Sequence, residues 1–324
     1  MNTTDTATWP VVVRTDVRRI DVTGADRLKY LDDVTSQAMD EISAGQVSAA
    51  LTLDAKGLPQ AMFDVVVLAD RVALLAPDDE VAATIMNVLA TRTFLADATF
   101  TETDDVIVSL RGPGSDQVAE AATLSTREGT VRPAGDELYV IGQDQGQVDV
   151  FGPARLIDQI VAGLEADGAR LGTNEDLDQW RVDAAVPAWG TEVTAPHLPE
   201  EAGLLPTHVN LGKGCYPGQE AVARMWMLGR PRRRLARLVA QAGELRAGWQ
   251  AGAGRKTVSV TTVSRDGGSA LAYVPTDAVV GDTFEADEVR VAVAELVGAS
   301  ENPPGHDPAM NRRRDQRAAS NNQS

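Results

Sequence analysis

The chain has 324 residues with 47 acidic and 30 basic side chains, a formal net charge of -17. Such a length exceeds what one small core organises, so two or three compact units are expected, and the acidic balance argues against phosphate-backbone binding over the whole surface. Aromatic residues make up only 4%, so the cores must rest on Val, Leu, Ala and Ile. One cysteine excludes an internal disulfide, and with only three histidines (His197, His208, His306) a self-contained zinc or iron–sulfur site is not expected. The polar start, Met1 to Trp9, has no signal-peptide pattern and no stretch reaches the length of a membrane span. Both point to a cytoplasmic protein without a membrane partner.

Taken in order, Val11 to Val22 reads as strand, broken by Thr23-Gly24. Leu28, Leu31 and Val34 then recur at helical spacing, with Asp26 early to favour the helix dipole. A hairpin follows, from Gln46 to Leu53 through Asp54-Ala55-Lys56-Gly57 to Met62 and Leu68, with a further strand over Arg71 to Leu75. Asp78 to Thr91 reads as a helix with an acidic cap. Val106 to Leu110 and Leu138 to Ile141 read as strands, and Ser115 to Leu124, Pro153 to Leu164 and Asn174 to Ala184 as helices. Hairpins alternating with helices predict an α+β arrangement of antiparallel sheets rather than a doubly wound one. No Gly-rich nucleotide loop stands in the right context.

From Pro187 to Gly218 the chain turns to Pro, Gly and Trp, a loop long enough to be functional. It ends in Lys213-Gly214-Cys215-Tyr216-Pro217-Gly218-Gln219-Glu220, which holds the lone thiol. Lys213 and a helix starting near Gln219 could favour the thiolate; the alternative is a small buried hydrophobe in a turn. Arg181, Asp183 and Glu192 around Trp189 could receive and stack a heterocycle, or form a helix-surface ion pair beside a core tryptophan. Arg230, Arg232, Arg233, Arg234 and Arg237 could pair with a ligand tail or RNA, or line a solvated junction. Short strands with Gly-rich turns through Val297 predict a small β-barrel, and the polar residues 299–324 predict a disordered tail.

The octapeptide resembles the Lys-Gly-Cys-aromatic-x-Gly-Gln-Glu signature of the YgfZ-type folate-binding proteins, relatives of the glycine-cleavage T-protein (aminomethyltransferase). Ile20-Asp21-Val22-Thr23-Gly24-Ala25-Asp26 with Tyr30-Leu31 agrees in order. So do Leu53-Asp54-Ala55-Lys56-Gly57 with Asp64, and Arg181-Val182-Asp183 through Trp189-Gly190-Thr191-Glu192. The resemblance covers about residues 11–298. It implies a cloverleaf of two antiparallel α+β units (11–229) around a folate cavity and a C-terminal β-barrel (230–298), flanked by a flexible N-terminus (1–10) and the tail. It also implies tetrahydrofolate or a derivative as cofactor, with Asp183, Trp189, Glu192, Tyr216, Gln219 and Arg181 as folate contacts. Cys215 and Lys213 fall on the family's thiol motif, and iron–sulfur client or assembly proteins become the expected partners.

Two departures matter. Asp183 stands where T-proteins carry a pterin-binding glutamate, in Arg181-Val182-Asp183-Ala184-Ala185, which has a shorter carboxylate and no glycine. Over Ala76 to Ala83 there is no equivalent of the T-protein catalytic aspartate, so aminomethyl transfer lacks its acid–base group. The expected function is a folate-binding accessory factor for iron–sulfur proteins; a one-carbon transferase and a non-enzymatic RNA or protein adaptor are the alternatives.

Overall fold

In the computed structural model, which describes residues 9–195, 197–228 and 231–298, the apolar run Val11 to Val22 is two strands. β1 (Val11–Thr15) and β2 (Arg18–Thr23) are separated by Asp16 and Val17 alone and enter different sheets. Residues 1–8, 299–324 and Arg230 lie outside the described residues, and with them the expected flexible terminus and disordered tail.

The first sheet joins β2 to β3 (Val47–Leu53), β4 (Pro59–Val67), β5 (Val72–Ala76) and β6 (Thr99–Glu102), in the antiparallel order β3-β4-β5-β2-β6. Helices α1 (Arg27–Val34) and α2 (Asp79–Val88) cover it, burying Leu31 and Ile85 with Ile20, Phe63, Val65 and Leu74. Asp78 caps α2 by accepting from the Val81 amide at 2.8 Å. Asp26 stands at the N-cap of α1, where its charge favours the dipole, and its carboxylate accepts from the Asp97 amide at 2.9 Å, which pins the approach to β6.

The second sheet takes β1, β7 (Val106–Arg111), β8 (Val131–Pro133), β9 (Tyr139–Gly142), β10 (Val148–Gly152) and β11 (Arg170–Leu171), in the order β11-β1-β7-β10-β9-β8. Only the β1–β11 pair is parallel. Helices α3 (Ser115–Ala121) and α4 (Ala154–Ala166) bury Val118, Ile157 and Leu164 against Val12, Val108 and Leu110. The other faces of the two sheets meet, with Val66, Leu68, Ala73 and Leu75 against Ile107, Ile141 and Phe151. In this seam Asp21 receives Arg19 in a two-pronged contact at 2.8 and 2.9 Å and Arg71 at 2.9 Å, so the buried charges are paired.

Helix α5 (Asn174–Ala184) leads into the loop of residues 187–218, which contains the short α6 (Leu205–His208) and is followed by α7 (Gln219–Leu228). The loop is ordered because Val193, Leu204, Leu205, Val209 and Tyr216 bury themselves against Leu51 and Leu53 of β3. The C-terminal sheet comprises β12 (Arg233–Ala242), β13 (Gln250–Ala251), β14 (Val258–Val263), β15 (Ser269–Pro275), β16 (Thr283–Ala286) and β17 (Val289–Leu296), in the order β13-β14-β15-β12-β17-β16. Its edge strands β13 and β16 approach each other, so it is a nearly closed barrel. The α+β architecture and the terminal barrel expected from the sequence are both present. No helix among the described residues is long and apolar enough to cross a membrane.

Candidate functional site

The octapeptide is held by backbone approach. Gly218 has φ +82°, and a Cβ there would fall 2.6 Å from the Asp54 carbonyl oxygen and 3.2 Å from Gly57 Cα; a Cβ on Gly57, at φ +77°, would fall 3.0 Å from Ala221 Cβ. Two glycines in left-handed conformation thus let the β3–β4 turn touch the start of α7. Two motifs far apart in the chain meet here. Asp54 fixes the turn by accepting from the Lys56 and Leu58 amides at 2.8 and 2.9 Å.

The Lys213 ammonium is committed to the backbone at the end of α1. It donates to the carbonyl oxygens of Asp32, Thr35 and Gln37, the latter two at 2.9 Å, and lies 3.3 Å from the Asp32 carboxylate. An ammonium has three protons, and three carbonyls at the end of α1 account for them. The side chain is 2% exposed; burial pushes its pKa down, while Asp32, Asp40 and Asp33 hold it up. Gln219 Nε2 donates to the Lys213 carbonyl at 3.2 Å and closes the turn. Cys215 is exposed. The Tyr216 hydroxyl is buried without a partner among the described residues, and burial pushes its pKa up to about 12.

The second group of expected residues divides. Glu192 is fully buried and its oxygens are taken. Arg181 and the Ala188 amide donate to Oε2 at 2.9 and 3.0 Å, and Thr261 and Thr262 to Oε1 at 2.7 and 2.6 Å. Since both threonines belong to β14, Glu192 ties the loop and α5 to the barrel. Asp183 lies exposed on α5 and accepts from Gln179 at 2.9 Å. Trp189 is half-buried between the first-sheet core and the loop cluster. The described arginines of the 230–237 run are largely engaged. Arg233 lies 3.9 Å from Glu201 and over the Tyr273 ring, Arg237 lies 3.6 Å from Glu295, and half-buried Arg234 has its pKa lowered by burial against an opposing pull from Glu200. Arg232 is exposed, its amide bonded to Glu201 at 3.1 Å.

None of these residues lines the cavity that opens at the seam of the first two sheets. It encloses about 170 Å³ and is lined by Val17, Met62, Phe63, Asp64, Leu75, Pro77, Ile107, Ser109, Arg111, Asp149 and His208. A cavity of roughly 150 Å³ holds a benzene ring, whereas pockets for whole drug-sized ligands run to roughly 300–1,000 Å³. This one fits a ring system and not the rest of a large ligand. The Asp64 carboxyl has no hydrogen-bond donor among the described residues. Desolvation, reinforced by the charge of Asp149 and opposed by Arg111, pushes its pKa up to about 7. Burial brings His208 down to about 4.

This wall was not anticipated from the sequence. Asp64 lay within a matching stretch but carried no role, and Arg111, Ser109 and Asp149 were absent from it. The available signal was a carboxylate in the middle of the apolar strands Pro59–Val67 and Val148–Gly152, where charge is placed for a partner or a purpose.

No family model matches the chain. Among curated proteins it is 25% identical over 227 residues to "tRNA-modifying protein YgfZ" of Vibrio vulnificus strain CMCP6, and equally to that of strain YJ016. Each match takes in 68% of the chain and 66% of the relative's length. Among solved structures, the glycine cleavage system aminomethyltransferase T of Bartonella henselae superposes with a TM-score of 0.77 at 18% identity, covering 90% of this chain and 86% of that one. The chain is therefore related to the YgfZ-type proteins and has the fold of the glycine-cleavage T-protein.

Proposed function

We propose that the protein is a cytoplasmic, tetrahydrofolate-binding accessory factor for iron–sulfur cluster assembly or repair, with the pterin end of the cofactor in the seam cavity and Cys215 as its functional thiol. The observation that carries this reading is the cavity itself: ring-sized, mostly apolar, with one carboxyl that lacks a donor. A pterin offers a flat face to such walls and adjacent N–H groups to such a carboxyl. Asp183, exposed on α5, is retained as a contact for the portion of the cofactor outside the cavity.

The segment after β5 favours an accessory role over aminomethyl transfer. Pro77 faces the cavity, while Asp78 caps α2 and Asp79 pairs with Arg18 at 2.5 Å on the surface. Asp78 and Asp79 are thus engaged elsewhere. The name of the curated relatives adds tRNA modification as a process such a factor could serve. With a net charge of -17 and the arginines of β12 set against Glu200, Glu201 and Glu295, service to a modifying enzyme fits better than direct grip on RNA.

Isothermal titration with a panel of folates on the wild type, Asp64→Ala and Asp183→Ala tests the ligand and its place. Binding lost in Asp64→Ala and weakened in Asp183→Ala is expected; absence of binding by every reduced folate refutes the reading. For the thiol, Cys215→Ala should depress a cluster-dependent enzyme in cells toward the level of a deletion strain, and full activity there would remove Cys215 from the function.

A further inference from the structure

The edges of the three sheets are disposed of unequally. β3 and β8 meet each other: Gln46 bridges Thr130, the Val47 amide donates to the Gly129 carbonyl and the Val131 amide to the Gly45 carbonyl, both at 2.9 Å. Further along β3, Ser36 takes both the amide and the carbonyl of Leu51 at 2.9 Å. β11 is only two residues long, and β13 and β16 approach one another across the barrel. Among the described residues, β6 (Thr99–Glu102) is left with an uncovered edge. It pairs with β2 alone, Thr101 opposite Asp21 and Thr99 opposite Thr23, and the Thr103 amide beyond it donates to the Arg19 carbonyl at 3.0 Å. Alternate residues of an antiparallel ladder bond the same neighbour, so the amides and carbonyls of Phe100 and Glu102 face outward. Exposed edges are usually blunted by lysine, proline or a bulge. Residues 94–102, Phe-Leu-Ala-Asp-Ala-Thr-Phe-Thr-Glu, hold no lysine or proline, and the β2–β6 register runs without a shift.

Just ahead of this edge stand the two most exposed large hydrophobic side chains among the described residues, Leu95 at 90% and Phe94 at 83%. The loop that carries them is fixed at both ends. The Tyr30 hydroxyl donates to the Leu89 carbonyl at 2.5 Å; the Asp26 amide donates to the Asp97 carbonyl at 3.0 Å, and the Asp97 amide returns the contact to the Asp26 carboxylate at 2.9 Å. We propose that β6 pairs antiparallel with the β6 of a second copy about a twofold axis at Phe100, joining two five-stranded sheets into one. Phe100 then exchanges N–H and C=O with Phe100 of the second copy, and the Glu102 amide meets the Ala98 carbonyl of that copy. Because the strands run in opposite directions, the start of each segment lies beside the end of the other. Exposed Arg92, ahead of Phe94, is thereby set toward the exposed Glu102 and Asp104 of the copy, and no like charges stand directly opposite one another in the paired residues. One segment thus supplies a free backbone edge, an apolar pair and both signs of charge in self-complementary order, which is what an isologous contact requires. Two exposed side chains offer far less than the roughly 800 Å² per partner of a stable interface, and the charge of -17 on each copy opposes approach. The pair is therefore a reversible one that forms at micromolar concentration and above.

Sedimentation equilibrium of the full chain, from micromolar to millimolar concentration, should show the average mass rising from that of the monomer to a plateau at twice that value. The double variant Phe94→Ser, Leu95→Ser, in side chains that face solvent, should weaken the association by about tenfold while leaving the melting temperature unchanged. Glu102→Pro removes one outward donor and spares the ladder to β2, and should weaken it by a similar factor. Arg92→Glu should also weaken it, and adding Glu102→Lys to that variant should restore it, a rescue that a purely local role for either residue would not produce. A mass that stays at the monomer throughout, one that climbs past twice without a plateau, or a dimer that all of these variants leave untouched overturns the inference.

Discussion

At the octapeptide the Lys213 ammonium is spent on carbonyl oxygens at the end of α1, whereas on the cavity wall Asp64 has no donor among the described residues and lies beside the Arg111–Asp149 ion pair. Both groups are shielded and both can carry charge, yet their energetics differ. A satisfied group stabilises a geometry, and its removal is felt as lost stability. An unsatisfied one lowers stability in the empty protein and returns that free energy to whatever ligand completes it. On this ground Lys213 holds the loop that carries Cys215, and Asp64 is the group left open on the cavity wall.

The contrast can be broken first at the most saturated carboxylate. Glu192→Ala should cost about 3 kcal/mol in chemical denaturation, because Arg181 loses its fully buried partner and keeps only the half-exposed Asp178, and the Thr262 hydroxyl of β14 and the Ala188 amide lose their acceptor; a loss under 1 kcal/mol would contradict its place between loop and barrel. Lys213→Met should cost about 3 kcal/mol by the same measurement, since several carbonyls at the end of α1 lose their donor. A variant of undiminished stability would return Lys213 to a purely chemical role.

Asp64→Asn should act in the opposite direction, adding on the order of 2 kcal/mol at pH 8. The sign follows from the folded pKa of about 7 against an ordinary 3.8: the native state holds a proton that the unfolded chain releases, so this contribution is lost as pH rises from about 4 to about 7. His208 slopes the other way. Its folded pKa of about 4 lies below 6.5, so stability is lost as pH falls from about 6.5 to about 4. The two nearly cancel in the wild type. Thermal unfolding of Asp64→Asn should therefore uncover a loss on acidification across that interval, and an unchanged profile would count against the raised pKa of this half-buried carboxyl. Smallest of all, Cys215→Ser should change stability by less than about 0.5 kcal/mol, because the thiol is exposed. A larger loss in a melting experiment would show that the thiol packs.

Much of the framework was legible from residue spacing. The hairpin through Asp54-Ala55-Lys56-Gly57, the capped helix after Asp78 and the helix over Asn174–Ala184 all emerge from apolar period and turn chemistry. The strand Val148–Gly152 escaped because Asp149 interrupts its apolar run, and only the tertiary partner Arg111 makes that charge tolerable. Val11 to Val22 looked continuous because nothing local distinguishes two strands of one apolar character that diverge after Thr15. The site was legible in part. Both glycine-bearing motifs were located, but their contact through Gly57 and Gly218 is a backbone fact that no side chain announces. Asp183 and Glu192 look alike as letters; one lies on the exposed face of α5 and the other beneath the barrel, so one is open to a ligand and the other is not. The isolation of Asp64 depends on Arg111 being engaged elsewhere, a negative fact about a distant strand.

The division between β1 and β2 has a consequence for the order in which the protein is made. The first sheet has all its strands once Glu102 has left the ribosome, but Val11, Val12 and Val13 of β1 must wait for β7 on one side and for Arg170 and Leu171 on the other. During synthesis the chain therefore carries an apolar, β-prone segment with both edges unpaired, tethered by two residues to a sheet that is already formed. The parallel contact between Val11 and Arg170 is among the most distant in the chain, and such pairings form late. Completion of the second sheet, and with it the wall of the cavity that carries Arg111 and Asp149, is the step at which a nascent chain either closes its ligand site or meets another chain through the same exposed strand.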